Sequence, residues 1–445
     1  MAVRHLIKHP ARLVPLSFLA TIAVGTILLM LPVSRAGPDG APFMTALFTA
    51  TSAVCVTGLI VVDTPVYWTG FGQGVILALI QVGGFGIMTG STLLGLLISR
   101  RLRLRSRLLV QTETPSMALG DVAGVLRLVL GVTVAVELAT AALLTVHLRF
   151  GHEQGWGAAV WSGVFHAISA FNNAGFSIYS DSLMGFAVDP WFVIPVMIAV
   201  VLGGLGFPVL YEIYRNPERG ERWSVHTKIT LLGTGTLLLG GLIAFLAFEW
   251  SNPETLGPLE VSGKVLNAMF HSVMTRTAGF NAVDIGLMRS ETLAVSDALM
   301  LIGGGSASTA GGIKVTTFFL LGYVVYAEIR GEPDVSVFGR RLPADIQRQA
   351  LTVVLLAVGL VAVATLILLT LTRFSLDVVL FEAVSAFATV GLSTGITDDL
   401  PPLGQLVIIC LMFVGRVGPI TAATALALGR KQRPFRYPEE RPIVG

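Results

Sequence analysis

The sequence predicts an all-α integral membrane protein in which four tandem units surround a central pore. Three observations carry this: the composition, the spacing of the apolar runs, and a glycine-centred segment that recurs four times. Of 445 residues, 53% are hydrophobic and 13% charged, where a soluble domain carries roughly 25% charged. Such a chain is polytopic rather than a string of soluble domains. A formal net charge of +3 gives no footing for a nucleic-acid partner. The two cysteines, Cys55 and Cys410, lie in apolar stretches and imply no disulfide framework.

Eight stretches are long enough to cross a bilayer at about 20 residues each. They fall near 13–34, 69–98, 121–149, 189–213, 229–249, 293–328, 348–372 and 403–429. The basic start MAVRHLIKHPAR, the apolar run that follows and VSRA have the outline of a secretory signal. That run is longer than a signal core, so it reads as the first spanning helix. Between the members of successive pairs lie shorter apolar segments, near 42–54, 158–171, 262–274 and 378–388. These are too short to span and read as four re-entrant pore helices beside eight transmembrane helices.

Charge sets the orientation. The arm with Arg4, Lys8 and Arg12, the segments SRRLRLRSR and YRNPERGERWSVHTK, the stretch 330–348 and the tail from Arg430 hold most of the 30 lysines and arginines. The alternate loops are acidic instead, with Asp39, Asp63, Asp181, Glu254 and Asp398 among them. By the positive-inside rule both termini are cytoplasmic, and the acidic outer rim would concentrate cations.

The repeat is the strongest signal. FTATSAVCVTGLI, FHAISAFNNAGFSI, FHSVMTRTAGFNA and FEAVSAFATVGLST align around Gly58, Gly175, Gly279 and Gly391, which are 117, 104 and 112 residues apart. Phe48, Phe165, Phe270 (one residue displaced) and Phe381 precede them. A second pattern follows about 25 residues on, in QVGGFGIMTG, VLGGLGFPVL, LIGGGSASTAGG and FVGRVGPITA. It sets Gly83, Gly203, Gly303 and Gly415 midway along each second spanning helix. The units are 1–100, 101–218, 219–335 (with a broken inner helix) and 336–445 (with the C-terminal tail). Backbone at membrane depth is tolerated where it lines a cavity, and glycine reaches the φ values that turn carbonyls inward. A single such glycine reads equally as a helix cap. Four matched copies read as a filter for a dehydrated monovalent cation.

TSAVCVTGL, FNNAGF, TRTAGF and TVGLSTG, with GGGSASTAGGIK, resemble the Trk/Ktr/HKT superfamily of potassium transporters over nearly the whole chain. Within it they are most similar to the membrane subunits of bacterial Ktr systems, the KtrB branch. The chain's length favours that branch over TrkH, which carries a further N-terminal helical pair. The resemblance implies a K+ filter of Val54, Cys55, Val56, Thr57 and Gly58 in the first unit and Asn173, Ala174 and Gly175 in the second. Thr277, Ala278 and Gly279 complete it in the third, with Thr389, Val390 and Gly391 in the fourth. In this superfamily a serine at the first glycine goes with sodium permeation, so Gly58 argues for potassium. A TrkH-like or less selective K+/Na+ channel is the alternative. The resemblance further implies Na+ stimulation, a homodimer, a cytosolic KtrA-type ring binding ATP and ADP, and a place in the bacterial plasma membrane among its lipids.

The run Gly303, Gly304, Gly305, Ser306, Ala307, Ser308, Thr309, Ala310, Gly311, Gly312 interrupts the sixth span. Five glycines at about 1 kcal/mol each oppose a continuous helix. A phosphate loop is excluded because Ile313 separates Gly312 from Lys314. Broken midplane helices are where transporters bind or gate ions, and the resemblance identifies this run, with Lys314, as the intramembrane gate. Arg416, a charge within the last span, costs about 2.5–3.5 kcal/mol unless it faces a polar cavity or a partner. Following Gly415, it is expected to face the pathway, bond the carbonyls of the 303–312 loop and raise a barrier to cations. The alternative is a structural ion pair with a buried carboxylate such as Glu382. His166 and His271 read as hydrogen-bonding groups between units, and spacing gives no metal set. Glu137 and Arg127 share a helix and are candidates to pair. Arg276 and Asn172 flank the filter as braces. No nucleophile or catalytic carboxylate pair appears, which excludes an enzyme, and a receptor or scaffold has no need of four interior glycine loops. The tail RPFRYPEERPIVG ends apolar, as a subunit contact would.

Overall fold

The computed structural model describes residues 13–101, 122–217 and 220–428, and it is almost wholly helical. The basic arm 1–12, most of SRRLRLRSR and the tail from Arg430 lie outside the described residues.

The first stretch contributes α1 (Leu13–Met30), the short α2 (Phe43–Cys55), a single turn α3 (Thr64–Tyr67) and α4 (Gly70–Arg101). Then come α5 (Val122–Phe150), the short α6 (Trp156–Phe171), α7 (Pro190–Leu205) and α8 (Phe207–Arg215). After these follow α9 (Val225–Glu249), the short α10 (Val261–Met274), α11 (Ser290–Leu301) and α12 (Val315–Ile329). A small hairpin, β1 (Ser336–Val337) with β2 (Arg340–Arg341), leads to α13 (Ala344–Leu371), the short α14 (Leu376–Ala388) and α15 (Pro402–Leu428). The hairpin is the one β-ladder longer than a single bridge among the described residues. Phe338 and Gly339 both have positive φ (49° and 74°), as the two-residue turn of a hairpin requires.

Four described helices are long and apolar enough to cross a membrane, within α4, α5, α9 and α13, and the bent pair α7–α8 would make a fifth. Of the other expected crossings, 13–34 corresponds to the 18-residue α1 and 403–429 to the 27-residue α15. Two expected crossings are interrupted. The expected span 293–328 divides into α11 and α12 around the glycine run. The span 189–213 was expected to be continuous, but it turns by 97° between α7 and α8. Gly206 supplies the turn with φ +89°, and Pro208 follows in the first turn of α8, where its missing N–H costs nothing.

The four short helices are mostly buried, and each packs on the helix before it: α2 on α1, α6 on α5, α10 on α9, α14 on α13. The element after each glycine loop then reaches the next short helix. Thus α4 meets α6, α7 meets α10, α11 meets α14, and α15 returns to α2, closing a ring of contacts. Phe48, Phe165, Phe270 and Phe381, the aromatics of the repeated segment, are all fully buried on these helices.

Candidate functional site

Each short helix ends in the same backbone device. After α2, Val56 takes a left-handed conformation (φ 56°), and the Thr57 N–H reaches back to the Ser52 carbonyl at 2.8 Å. This six-to-one closure with a left-handed residue is the Schellman cap. It recurs at Asn173 (φ 59°) with Ala174 N–H to Ser169 O at 2.7 Å, and at Thr389 (φ 51°) with Val390 N–H to Ser385 O at 2.9 Å. The third copy is shifted by one residue: Thr277 is left-handed (φ 74°), but the long bond runs from the Gly279 N–H to Met274 O at 3.4 Å. That shift is the displacement of Phe270 seen in the sequence. Left-handed backbone costs an ordinary residue about 1–2 kcal/mol, so four such residues two places before a glycine mark an imposed geometry.

The glycines follow with φ of 96°, 69°, 75° and 95° at Gly58, Gly175, Gly279 and Gly391. They also touch in a cycle. A Cβ on Gly58 would strike the Ala174 carbonyl and lie 3.2 Å from the Gly175 Cα; one on Gly175 would lie 2.7 Å from the Ala278 carbonyl and 2.9 Å from the Gly279 Cα. One on Gly279 would strike the Val390 carbonyl beside Gly391, and one on Gly391 would strike the Thr57 carbonyl beside Gly58. Positive φ and close backbone both strain any side chain at these positions. The four glycines thus form a closed collar, and each abuts the carbonyl that precedes its neighbour. A cavity of about 400 Å³ opens on one side of the collar, with all four glycines, Asp63 and Asp398 in its wall.

Val54 and Cys55 stand in the last turn of α2, so the loop proper of the first unit is Val56–Gly58. The Val54 carbonyl lies against Gly83 of α4, where a Cβ would collide with it. Gly203 meets the Phe171 carbonyl and Gly415 the Phe387 carbonyl in the same manner. The mid-helix glycines therefore let a second helix press onto the carbonyl four residues before each collar glycine. In the third unit the role differs: Gly303 lies against the Gly311 carbonyl of its own loop.

The sequence reading missed a serine six residues before the glycine in three of the four aligned segments. Ser52 Oγ accepts from the Gly58 N–H, and Ser385 Oγ accepts from the Gly391 N–H, both at 3.1 Å. Ser169 Oγ donates to the Phe176 carbonyl at 2.8 Å. The alignment that found the glycines contained this signal.

The run from Gly303 to Gly312 packs directly beneath these loops. Gly305 N–H donates to Gly204 O at 2.8 Å, and Thr309 N–H to Gly203 O at 3.2 Å. It thereby serves carbonyls at the end of α7 that have no helical partner. Gly206 makes this docking possible, since a Cβ there would lie 2.5 Å from the Ser306 carbonyl. On the collar side, the Asn173 amide is 3.0 Å from the Thr309 hydroxyl. The Thr277 methyl lies 3.4 Å from where a Cβ of Gly303 would sit, and the Thr389 hydroxyl fills the corresponding space at Gly311. The hydroxyls of Thr57, Thr277 and Thr389 are buried without a hydrogen-bond partner among the described residues.

Three cations hold the run through its carbonyls. Arg276 Nη2 donates to Gly303 O at 2.8 Å, Lys314 Nζ to Ala310 O at 2.6 Å, and Arg416 Nη1 to Thr309 O. Arg416 is 3% exposed, and its Nε and Nη2 have no partner among the described residues. Glu382 is not its counter-ion, for that carboxylate accepts from Ser393 at 2.9 Å and from Thr397. Arg276, expected beside the filter, braces the loop below it.

Other expectations change. Glu137 pairs with amides, not with Arg127: Asn172 Nδ2 donates to it at 3.1 Å and Gln81 Nε2 at 3.3 Å, while Arg127 is exposed. Asn172 braces as expected, and Gly84 leaves space for its side chain. His166 bonds Ser162 and Ser177, and His271 bonds Ser296, so both serve their own unit rather than bridging units. Spacing gave no metal set, yet His147, His152 and Asp189 come together.

The family model TrkH, a cation transport protein, matches residues 16–433. The chain is 39% identical over 438 residues to the Ktr system potassium uptake protein B of Bacillus subtilis (strain 168), covering 98% of this chain and 97% of that one. The Vibrio alginolyticus protein of the same name is also 39% identical, with 98% and 94% covered. The potassium/sodium uptake protein NtpJ of Enterococcus hirae is 36% identical, with 98% and 97% covered. The solved structure of the potassium transporter TrkH from Vibrio parahaemolyticus superposes with a TM-score of 0.69 at 16% identity, over 91% of this chain and 83% of that one. These relatives are transporters, not enzymes.

Proposed function

Since the chain belongs to the TrkH family of cation transport proteins, we propose that it is the ion-conducting membrane subunit of a bacterial potassium uptake system of the Ktr kind. The observation that carries this reading is the closed collar of Gly58, Gly175, Gly279 and Gly391. Its backbone carbonyls replace part of the hydration shell of a dehydrated K+, as filters of carbonyl rings do. The cyclic contact order of the helices supports four units, 1–100, 101–218, 219–335 and 336–445, with four short helices entering the membrane without crossing it. The hydroxyls of Thr57, Thr277 and Thr389, buried without a partner among the described residues, offer further oxygen next to the collar.

Below the collar, the 303–312 run with Lys314 acts as a gate and Arg416 holds it closed. A guanidinium bonded to the Thr309 carbonyl places positive charge where a cation must pass, and the small residues let the run leave without breaking a helix. Uptake is driven by the membrane potential, about 2.3 kcal/mol per charge per 100 mV, and is stimulated by Na+. Both termini are cytoplasmic, two copies associate, and a KtrA-type cytosolic ring controls the gate through ATP and ADP.

The test is growth of a potassium-uptake-deficient bacterium on low potassium with this chain and its regulatory partner, with and without Na+. Rescue is expected, and Gly58→Ser should lower the preference for K+ over Na+. No rescue by a membrane-inserted chain would overturn the transport reading. An unaltered preference in Gly58→Ser would overturn the filter. The similarity to a potassium/sodium uptake protein keeps a less selective channel in view. Equal Na+ and K+ uptake by the unsubstituted chain would select it.

A further inference from the structure

Away from the collar, at one end of the second unit, three elements bring together His147, His152 and Asp189. His147 stands in the last turn of α5, His152 in the loop that follows, and Asp189 is the N-cap of α7. The loop is shaped to return His152. Gly151 closes on the His147 carbonyl at 2.7 Å, Glu153 is left-handed (φ 54°), and Gln154 N–H reaches the Leu148 carbonyl at 3.2 Å. Asp189 divides its two oxygens between separate tasks. Oδ1 accepts from the Trp191 N–H at 3.1 Å and caps α7, while Oδ2 faces His147 Nε2 at 2.5 Å and His152 Nε2 at 2.9 Å. Two imidazole nitrogens and one carboxylate oxygen thus converge, each offering one ligand atom and all within 4.8 Å.

The geometry points to a binding site for a transition-metal dication of the Zn2+ class, formed by His147 Nε2, His152 Nε2 and Asp189 Oδ2. Two nitrogens and one oxygen are the donor set that borderline-soft Zn2+ takes with a fourth position open, whereas Mg2+ and Ca2+ prefer oxygen alone. With metal–ligand bonds of about 2.0–2.1 Å, tetrahedral ligands stand about 3.3 Å apart. The two separations from Asp189 Oδ2, 2.5 and 2.9 Å, are shorter, so each imidazole withdraws from that oxygen by less than an ångström to admit the ion. Side-chain exposures of 20% for His147 and 37% for His152 leave the fourth position to water. The ion would join the end of α5 to the start of α7, whose far end carries the Gly203 and Gly204 carbonyls that hold the 303–310 run.

The full chain, purified in detergent without a polyhistidine tag, would be equilibrated with Zn2+, desalted, and assayed for metal per chain and thermal midpoint. One equivalent and a raised midpoint are expected, with neither for Mg2+. His147→Gln with His152→Gln should abolish both effects. Asp189→Asn, which keeps the cap through its side-chain oxygen, should weaken retention at least tenfold with an unchanged elution profile. Absence of stoichiometric Zn2+, or retention unaltered in the double variant, would overturn the site. Loss of retention in a His5→Gln, His9→Gln variant would assign the ion to the N-terminal arm and also overturn the site. These outcomes are independent of the transport reading.

Discussion

Replacing Arg416 with Gln tests the gate most directly, and the structure sets the size of the effect. The guanidinium makes one described hydrogen bond, from Nη1 to the Thr309 carbonyl, and leaves Nε and Nη2 unpaired in a buried site. A hydrogen bond to a charged group contributes about 1.5–3 kcal/mol. If that bond favours the docked run over the withdrawn one, its loss shifts the equilibrium by roughly 10- to 150-fold. The flux of Rb+ or K+ into proteoliposomes should rise accordingly, up to the limit set by full opening. Fold stability should move the other way from an ordinary core truncation, because removing a buried charge without a counter-ion relieves a desolvation cost. The thermal midpoint in detergent is therefore expected to hold or increase. Lys314→Gln, which removes the bond from Nζ to Ala310 O, should raise flux less, and the double substitution should be non-additive because both cations hold one element. An unchanged or reduced flux from a well-folded Arg416→Gln protein would refute the reasoning.

Three further outcomes follow from the site. Gly415→Ala sets a methyl into the Phe387 carbonyl and should cost about 1–3 kcal/mol in stability, whereas Gly235→Ala, in open space on α9, should be neutral or stabilising; thermal unfolding of the pair compares them. Ser385→Ala leaves the Gly391 N–H without its acceptor, a loss of about 1–3 kcal/mol at the collar, and should narrow the difference between K+ and Na+ in competition uptake. Although burial disfavours its charge, hydrogen bonds from His152, His147 and the Trp191 N–H hold the Asp189 carboxyl below its ordinary value. Its contribution is thus present above the ordinary carboxylate pKa and lost as pH falls through the lowered one. Without added metal, Asp189→Asn should flatten the acid limb of the stability profile measured from pH 7 downward.

The fold's ingredients were legible where one residue type served one local purpose. The collar glycines, the buried aromatics and the broken sixth segment all appear in the sequence because only glycine, or only a large apolar side chain, meets the local demand. Partnerships between distant segments were not legible. Nothing in the spacing tells that Glu137 meets Gln81 and Asn172, or that Asp189 lies beside His147, since the latter two are 42 residues apart with a whole short helix between them. The bend at Gly206 was also hidden, because VLGGLGFPVL aligned with QVGGFGIMTG, which stays helical in α4. What separates them is Pro208 and the docking of Ser306 against Gly206, the second of which belongs to tertiary structure. Ser52 and Ser385 were legible but overlooked, as small polar residues in an apolar alignment attract less notice than glycine.

The third unit departs from the others in ways that share one physical cause. Its cap is shifted by one residue, its inner helix is interrupted by the whole 303–312 run rather than bent at a single glycine as α7–α8 is, and its Arg276 bonds that run. In the first, second and fourth units a mid-helix glycine backs the carbonyl four residues before the collar glycine. In the third, the 303–312 run occupies that level and folds across toward Asn173, Thr277 and Thr389, which are the left-handed residues of the second, third and fourth loops. The run thus touches three of the four left-handed residues that set the collar's geometry. A run that leaves must withdraw Thr309 from Asn173 and Gly311 from Thr389, so its position and the collar's shape bias each other by the same free energy. If the collar is the proposed ion filter, its occupancy favours one position of the run, and that coupling should appear as K+-dependent protection of Ser306–Thr309 in hydrogen exchange, while uniform exchange with and without K+ would show the two to be independent.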